Sequence, residues 1–108
     1  MTNTREDALQ ELLAKVKAGS RSIFLGMTGA QIHSFEQHEI NLIQSAFDGS
    51  LDAALALHNA MLPGQIAKMH ISSTNSRAVA GVHFGTATNP ARAWLIAILK
   101  ALIAETEQ

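Results

Sequence analysis

The sequence of 108 residues contains no cysteine and no tyrosine, with only two prolines and one tryptophan. Without cysteine, the chain cannot form disulfides, cysteine-ligated zinc sites or a thiol nucleophile. Hydrophobic residues make up 47% of the chain and charged residues 16%, a balance typical of a globular protein rather than a disordered one. A chain of this length is expected to fold as one domain around its own core.

Long apolar runs are also missing. The longest apolar stretch, residues 93–104, is interrupted by Lys100 and is too short to span a bilayer. The polar opening segment, residues 1–10, lacks the apolar region of a signal peptide. We therefore expect a cytoplasmic protein that does not use a membrane as its partner.

Acidic residues are absent from half of the chain. Residues 1–52 carry seven acids and four bases, whereas residues 53–104 carry four bases and no acid. The bases of this second half are Lys68, Arg77, Arg92 and Lys100. The net charge of −1 argues against nucleic acid as a partner, but the acid-free half predicts a positive surface for an anion. Chance segregation in a chain with few charges is the alternative.

Four helices are predicted from apolar spacing and capping residues. Gly19 marks the end of the first helix, and Ser50 is a predicted N-cap. Asn89 is the predicted N-cap of the last helix, with Pro90 at its first helical position. The predicted helices span residues 4–18, 37–47, 50–62 and 90–105.

Residues 65–85 predict a β-hairpin, because apolar and polar residues alternate on both sides of a polar turn. In the predicted register, Met69 lies opposite Phe84 on the apolar face. The same register places His70 opposite His83 on the other face. The hairpin is thus predicted to have one buried side and one polar side.

These elements predict an α+β fold, in which a small antiparallel sheet packs against three to four helices. Besides the hairpin, the sheet can include a further strand near 22–26, which the sequence pattern neither requires nor excludes. The helix over 90–105 is apolar nearly all round, because Ile96 and Ile103 lie away from its Trp94 face. Either this helix is central in the fold or its second face meets another subunit. We expect a homo-oligomer formed through this helix.

The loop over residues 85–92, GTATNPAR, is the first candidate binding site. It leads from a strand into a helix N-terminus, where free backbone N–H groups favour an anion. Thr86 and Thr88 add hydroxyl groups, and Arg92 adds a charged donor. Asn89 completes the predicted site. Ordinary helix capping by Asn89 is the alternative, and the glycine pattern of a P-loop is missing.

The histidines and Lys68 are the other candidate ligand-binding residues. His70 and His83 would supply two nitrogens, but a metal site needs a third or fourth ligand, so we expect no metal and no other cofactor. His58 lies within the apolar stripe of its helix. It is either a core histidine satisfied by a backbone carbonyl or a histidine that opens on a pocket.

No nucleophile and base are arranged in a pattern typical of an enzyme. The serines lie in turns or at caps, and none occurs in a GxSxG motif. A small hydrolase that uses His58 or the pair of His70 and His83 is a third hypothesis. We expect a protein that is not an enzyme.

Three segments resemble small phage and prophage proteins with a phage ABA sandwich-type domain. These are TREDALQELLAKVKAG, DGSLDAALALHNAMLPG and FGTATNPARAWLIAILKALIAE, which together cover about half of the chain. That family commonly has an aromatic residue after the Pro-Gly pair, where this chain has Gln65. The resemblance implies an α+β sandwich, a viral or prophage origin and a location in the host cytoplasm.

The resemblance also implies an accessory role, of which counter-defence is one form. Two functional hypotheses follow. The first is a binding protein for an anionic small molecule, such as a nucleotide signal that it would sequester. The second is an interaction module that inhibits or adapts a host or virion protein.

Overall fold

The computed structural model describes residues 4–19, 23–24, 27–71, 75–81 and 83–106. Within these ranges the chain forms helices and one antiparallel sheet, so the predicted α+β fold is confirmed. The elements are α1 (Thr4–Ala18), α2 (Gly29–His33), α3 (Gln37–Phe47), α4 (Leu51–Met61), β1 (Ala67–Ile71), β2 (Ser76–Ala80), β3 (His83–Ala87) and α5 (Pro90–Thr106).

Most of the helix predictions are confirmed, with their caps. The Ser50 hydroxyl accepts the Ala53 N–H at the start of α4. The Asn89 side-chain oxygen accepts the N–H groups of Ala91 and Arg92 at the start of α5. The short α2 is an addition that apolar spacing could not reveal, because it has only five residues and none of them is buried. It is held by a capping box instead.

Helix α5 is central in the fold. It contacts all three strands and also packs against α1, α3 and α4. Leu95, Ile98 and Leu99 are fully buried, and Ile96 is 4% exposed. Of the two alternatives for a helix that is apolar nearly all round, the structure thus shows a helix at the centre of the fold. The face that suggested a homo-oligomer through residues 90–105 is therefore largely covered by the chain itself, and the oligomer stays a prediction.

The three strands form an antiparallel meander with β2 in the middle. Met69 lies opposite Ala78, which in turn lies opposite Gly85. One side of the sheet, the inner face, packs on α5. The other side, the outer face, is turned to solvent.

The predicted hairpin register is wrong. β1 pairs with β2 and not with β3, so Met69 does not face Phe84. The reason is a second turn after Ala80, where Gly81 has a φ of 64° that favours glycine. Because this turn reverses the chain, Gly85 and not Phe84 is directed to the core.

The predicted pairing of His70 with His83 fails with the register. His70 lies opposite Arg77 on the outer face, whereas His83 lies opposite Ala80 at the edge of the inner face. Of the strand left open near 22–26, Ile23 and Phe24 lie in a turn. The other three positions lie outside the described residues.

Small residues on the inner face let α5 approach the sheet closely. Ala78 and Ala80 are fully buried. A Cβ atom added at Gly85 would lie 2.5 Å from the backbone oxygen of Ala93 and 2.7 Å from the Cβ of Ile96. Since neither the α5 backbone nor a buried isoleucine can move aside cheaply, Gly85 fixes the distance between sheet and helix.

Replacing Gly85 with alanine should therefore lower the free energy of unfolding by about 2 kcal/mol or more, the range of overpacked cores. Urea unfolding followed by circular dichroism measures the change. Gly29→Ala is the matched control, because nothing lies within 4 Å of its added Cβ. If both variants unfold at the same urea concentration as the parent protein, close packing at Gly85 is not a constraint.

Candidate functional site

The outer face of the sheet consists of alternate residues of the three strands. It has two rows that run across the strands, and most of its side chains are exposed. The rows are Lys68–Val79–Phe84 and His70–Arg77–Thr86. None of these residues is acidic. Strand alternation places them together, because the residues between them face α5.

Phe84 is the aromatic centre of the outer face. Phe84 is 46% exposed, so part of its apolar ring stays in contact with water. The guanidinium carbon of Arg77 lies 4.4 Å from the ring centroid, and the Nζ atom of Lys100 lies 5.2 Å from it. Lys100 belongs to α5, so two elements bring positive charge to one ring. Both distances are in the range of cation–π contacts.

Two other arginines also lie over phenylalanine rings, but their side chains have a structural task. Arg5 lies over Phe35 and donates to the carbonyl of Ser34, the C-cap of α2. Arg92 lies over Phe47 and donates through Nε to the carbonyl of Phe47 at 2.7 Å. Both therefore satisfy carbonyls at helix C-termini.

Arg77 differs from these two arginines. Its guanidinium makes no hydrogen bond and no ion pair with any residue that the structure describes. The ammonium groups of Lys68 and Lys100 likewise have no carboxylate partner within the described ranges. The outer face thus carries unneutralised positive charge beside an exposed aromatic ring.

A cleft of about 220 Å³ lies where the end of β3 meets α1 and α5. Thr86 lines this cleft and also belongs to the outer face. The cleft is also lined by Lys17 at the end of α1, by Thr88 and by Arg92. Its described lining contains no acid. The two terminal nitrogens of Arg92 make no hydrogen bond to a described residue, so they remain available for an anion.

The predicted anion site at the helix N-terminus is thus rearranged. Asn89 caps α5, and its side-chain oxygen accepts hydrogen bonds from the N–H groups of Ala91 and Arg92. These two donors are therefore not free for a ligand. Thr86, Thr88 and Arg92 do come together, but through their side chains in the cleft.

The other predicted site residues are dispersed. Lys68 and His70 lie on the outer face, in line with Phe84 and Thr86. His83 instead lines a separate, mostly apolar cavity of about 480 Å³ with Gln65. Lys68 and His70 are therefore near the cationic centre, and His83 is not on the same face.

His58 is a buried histidine with both ring nitrogens engaged. It is 3% exposed. Its Nε2 lies 2.9 Å from the backbone oxygen of Gln65, and its Nδ1 lies 3.3 Å from the indole Nε1 of Trp94. Because indole N–H only donates and a carbonyl only accepts, the neutral tautomer protonated at Nε2 satisfies both contacts. This arrangement matches the core histidine alternative, with a carbonyl as its partner.

Within the described ranges, no group of three or more histidine, aspartate or glutamate side chains could hold a metal ion. The same part of the chain contains no helix that is long and apolar enough to cross a membrane.

The sequence pattern does not single out Phe84 or Lys17, nor the position of Arg77 and Lys100 beside the Phe84 ring. The predicted register places Phe84 in the core, because apolar spacing alone does not reveal the turn at Gly81. The acid-free half of the chain did contain a sign of the cationic face, since Lys68, Arg77 and Lys100 all belong to it.

His58→Leu should lower the free energy of unfolding by about 2 kcal/mol, because it leaves the Gln65 carbonyl and the Trp94 indole N–H, both in part-buried contacts, without their partner. Urea unfolding measures the loss. His70→Leu is the control, since His70 is exposed and an exposed substitution changes stability by about 0.5 kcal/mol or less. Equal stability of the two variants would show that the contacts of His58 are not needed by the fold.

No family model, curated protein or solved structure matches the chain. The resemblance to phage proteins stays a prediction. The functional argument rests on the geometry of the outer face and the adjoining cleft.

Proposed function

We propose that the protein is a non-enzymatic binding protein for a small anion that carries an aromatic ring, of which a nucleotide is the chemical type. One observation supports this most strongly. Phe84 is an exposed ring between two cations, Arg77 and Lys100, neither of which has a carboxylate partner among the described residues. A nucleotide has both groups that such a site can use, a flat base and a phosphate.

The base would stack on Phe84. Exposed cation–π contacts contribute about 0.5–1 kcal/mol, whereas stacking of a base on an aromatic side chain contributes about 1–3 kcal/mol. The base can therefore displace Arg77 from the ring at a net gain. The displaced guanidinium then becomes a bidentate donor for the phosphate. Lys68, Lys100 and the Thr86 hydroxyl add further donors within the same two rows.

The expected affinity for a single nucleotide is low. Exposed charge pairs contribute about 0.2–1 kcal/mol each, because water and salt screen them. Together with one stacked base, they give a dissociation constant on the order of 1 mM. The outer face is open, so a mononucleotide would keep much of its surface in water.

The alternative function, an interaction module for a host or virion protein, has one observation in its favour. Leu51 and Leu55, one turn apart on α4, are 41% and 47% exposed. Two half-exposed leucines form a small patch compared with the roughly 800 Å² that a stable interface buries on each partner. The outer face is therefore the better supported site.

The biological setting of this proposal comes from the resemblance alone. In a phage or prophage accessory protein, binding of a nucleotide would sequester it from a host defence pathway in the cytoplasm. This counter-defence role needs no catalytic residue and no cofactor.

Titration with adenosine monophosphate, followed by isothermal calorimetry, tests the binding. Phe84→Leu keeps an apolar side chain but removes the ring, and we expect affinity to fall about tenfold. Leu55→Ala is the control, because Leu55 is as exposed as Phe84 but lies on α4. Inorganic phosphate, which has no base, should bind more weakly than the nucleotide. Absence of binding at millimolar nucleotide, or equal affinity of parent protein and Phe84→Leu, would contradict the proposal.

A further inference from the structure

The positive surface is longer than one nucleotide requires. The surface continues from Phe84 along β3 to Thr86, and from Thr86 into the cleft that Lys17 and Arg92 line. Three residue steps of a strand, from Phe84 to Ala87, span about 10 Å. Stacked nucleotides advance about 3.4 Å each along one strand, so this distance corresponds to about three nucleotides.

We propose that the ligand of this surface is a single-stranded nucleic acid that follows β3 from Phe84 into the cleft. The inference rests on the proposed function, because it needs a base stacked on Phe84. It adds a second phosphate position, held by Lys17, Thr88 and the terminal nitrogens of Arg92. The site then combines an aromatic platform with a positive groove, as proteins that bind single strands do.

The charge distribution favours this ligand over the alternatives. The net charge of −1 argues against nucleic acid only as an average over the whole chain. The ion pairs Arg5–Glu39 and Lys15–Glu11 lie in helices outside the sheet. Lys68, Arg77 and Lys100 have no carboxylate partner among the described residues, so they can bind the phosphates of a polyanion.

The open shape of the site also favours a strand. A mononucleotide uses one stacked base and few phosphate contacts. A strand adds further bases and phosphates whose local concentration is raised by covalent linkage. Several weak contacts along one strand then give a higher affinity than a single nucleotide has, although the site is not an enclosed pocket. An acidic peptide would satisfy the cations but would leave Phe84 without a stacking partner.

The test is fluorescence anisotropy with a labelled oligoadenylate of 12 nucleotides, prepared as DNA and as RNA, at low salt. We expect the oligonucleotide to bind at least tenfold more tightly than adenosine monophosphate. Lys17→Gln should weaken oligonucleotide binding about threefold or more, and it should weaken the oligonucleotide more than the mononucleotide. Lys15→Gln is the matched control, because Lys15 lies on the same helix and is paired with Glu11. Circular dichroism checks that both variants fold.

Salt dependence provides a second readout. For single strands the logarithm of the binding constant falls with the logarithm of salt concentration by about 0.7 per neutralised phosphate. If Lys17 binds one phosphate, Lys17→Gln should reduce this slope by about that amount. The DNA and RNA arms then show which sugar the site prefers, and either preference supports the proposal.

Two results separate this inference from the function on which it rests. If adenosine monophosphate binds through Phe84 but the oligonucleotide binds no more tightly and Lys17→Gln has no effect, the inference is wrong and the nucleotide site stands. If neither ligand depends on Phe84, both fail. Equally tight binding of polyglutamate of 12 residues, or of vesicles rich in phosphatidylserine, would show recognition of charge alone and would overturn the single-strand proposal.

Discussion

The close approach of α5 to β3 at Gly85 is the constraint on which the rest of the structure depends. The backbone of Ala93 and the side chain of Ile96 occupy the space where any side chain at this position would lie. The neighbouring inner positions, Ala78 and Ala80, are small for the same reason. Because strand residues alternate between faces, the residues next to these small ones, Arg77, Val79 and Phe84, lie on the outer face.

This arrangement links the core of the protein to the chemistry of its surface. Burial of α5 between the sheet and the other helices removes Leu95, Ile98 and Leu99 from water, which stabilises the fold. It also directs Phe84 and Arg77 to solvent, where Lys100 of α5 reaches the same ring. A surface that combines an aromatic ring with cations is therefore fixed by the packing beneath it. Exchange of one inner residue for a larger one would disturb both.

Much of the helical structure could be predicted from the sequence, because its determinants are local. The caps Ser50 and Asn89 mark the starts of α4 and α5, and apolar spacing defines α1 and α3. The sheet was harder to predict. Ala78 and Ala80 are poor strand formers by propensity, and their role depends on a helix that follows later in the chain. Because of the turn at Gly81, the residues after it pair with β2 and not with β1, so their observed register differs from the predicted one.

The candidate site shows the same division between local and long-range information. Thr86, Thr88 and Arg92 are close in sequence, and they also meet in the cleft. Lys17 joins them in the cleft, and Lys100 reaches Phe84, only through tertiary packing, so spacing along the chain could not reveal either lysine. The predicted register places the ring of Phe84 on the buried side, and that register is wrong. The absence of acids over residues 53–104 was the correct general indication, since it includes the cations of the outer face.

The central claim is that this protein binds its ligand at the outer face of the sheet and the cleft beyond the end of β3, and not at α3 or α4. Chemical-shift mapping of the isotope-labelled protein, titrated with the 12-nucleotide oligoadenylate, tests it most directly. The account predicts shifts at Arg77, Phe84 and Thr86 and at the end of α1 near Lys17. Shifts confined to α3 and α4, or no shifts at millimolar strand concentration, would contradict it.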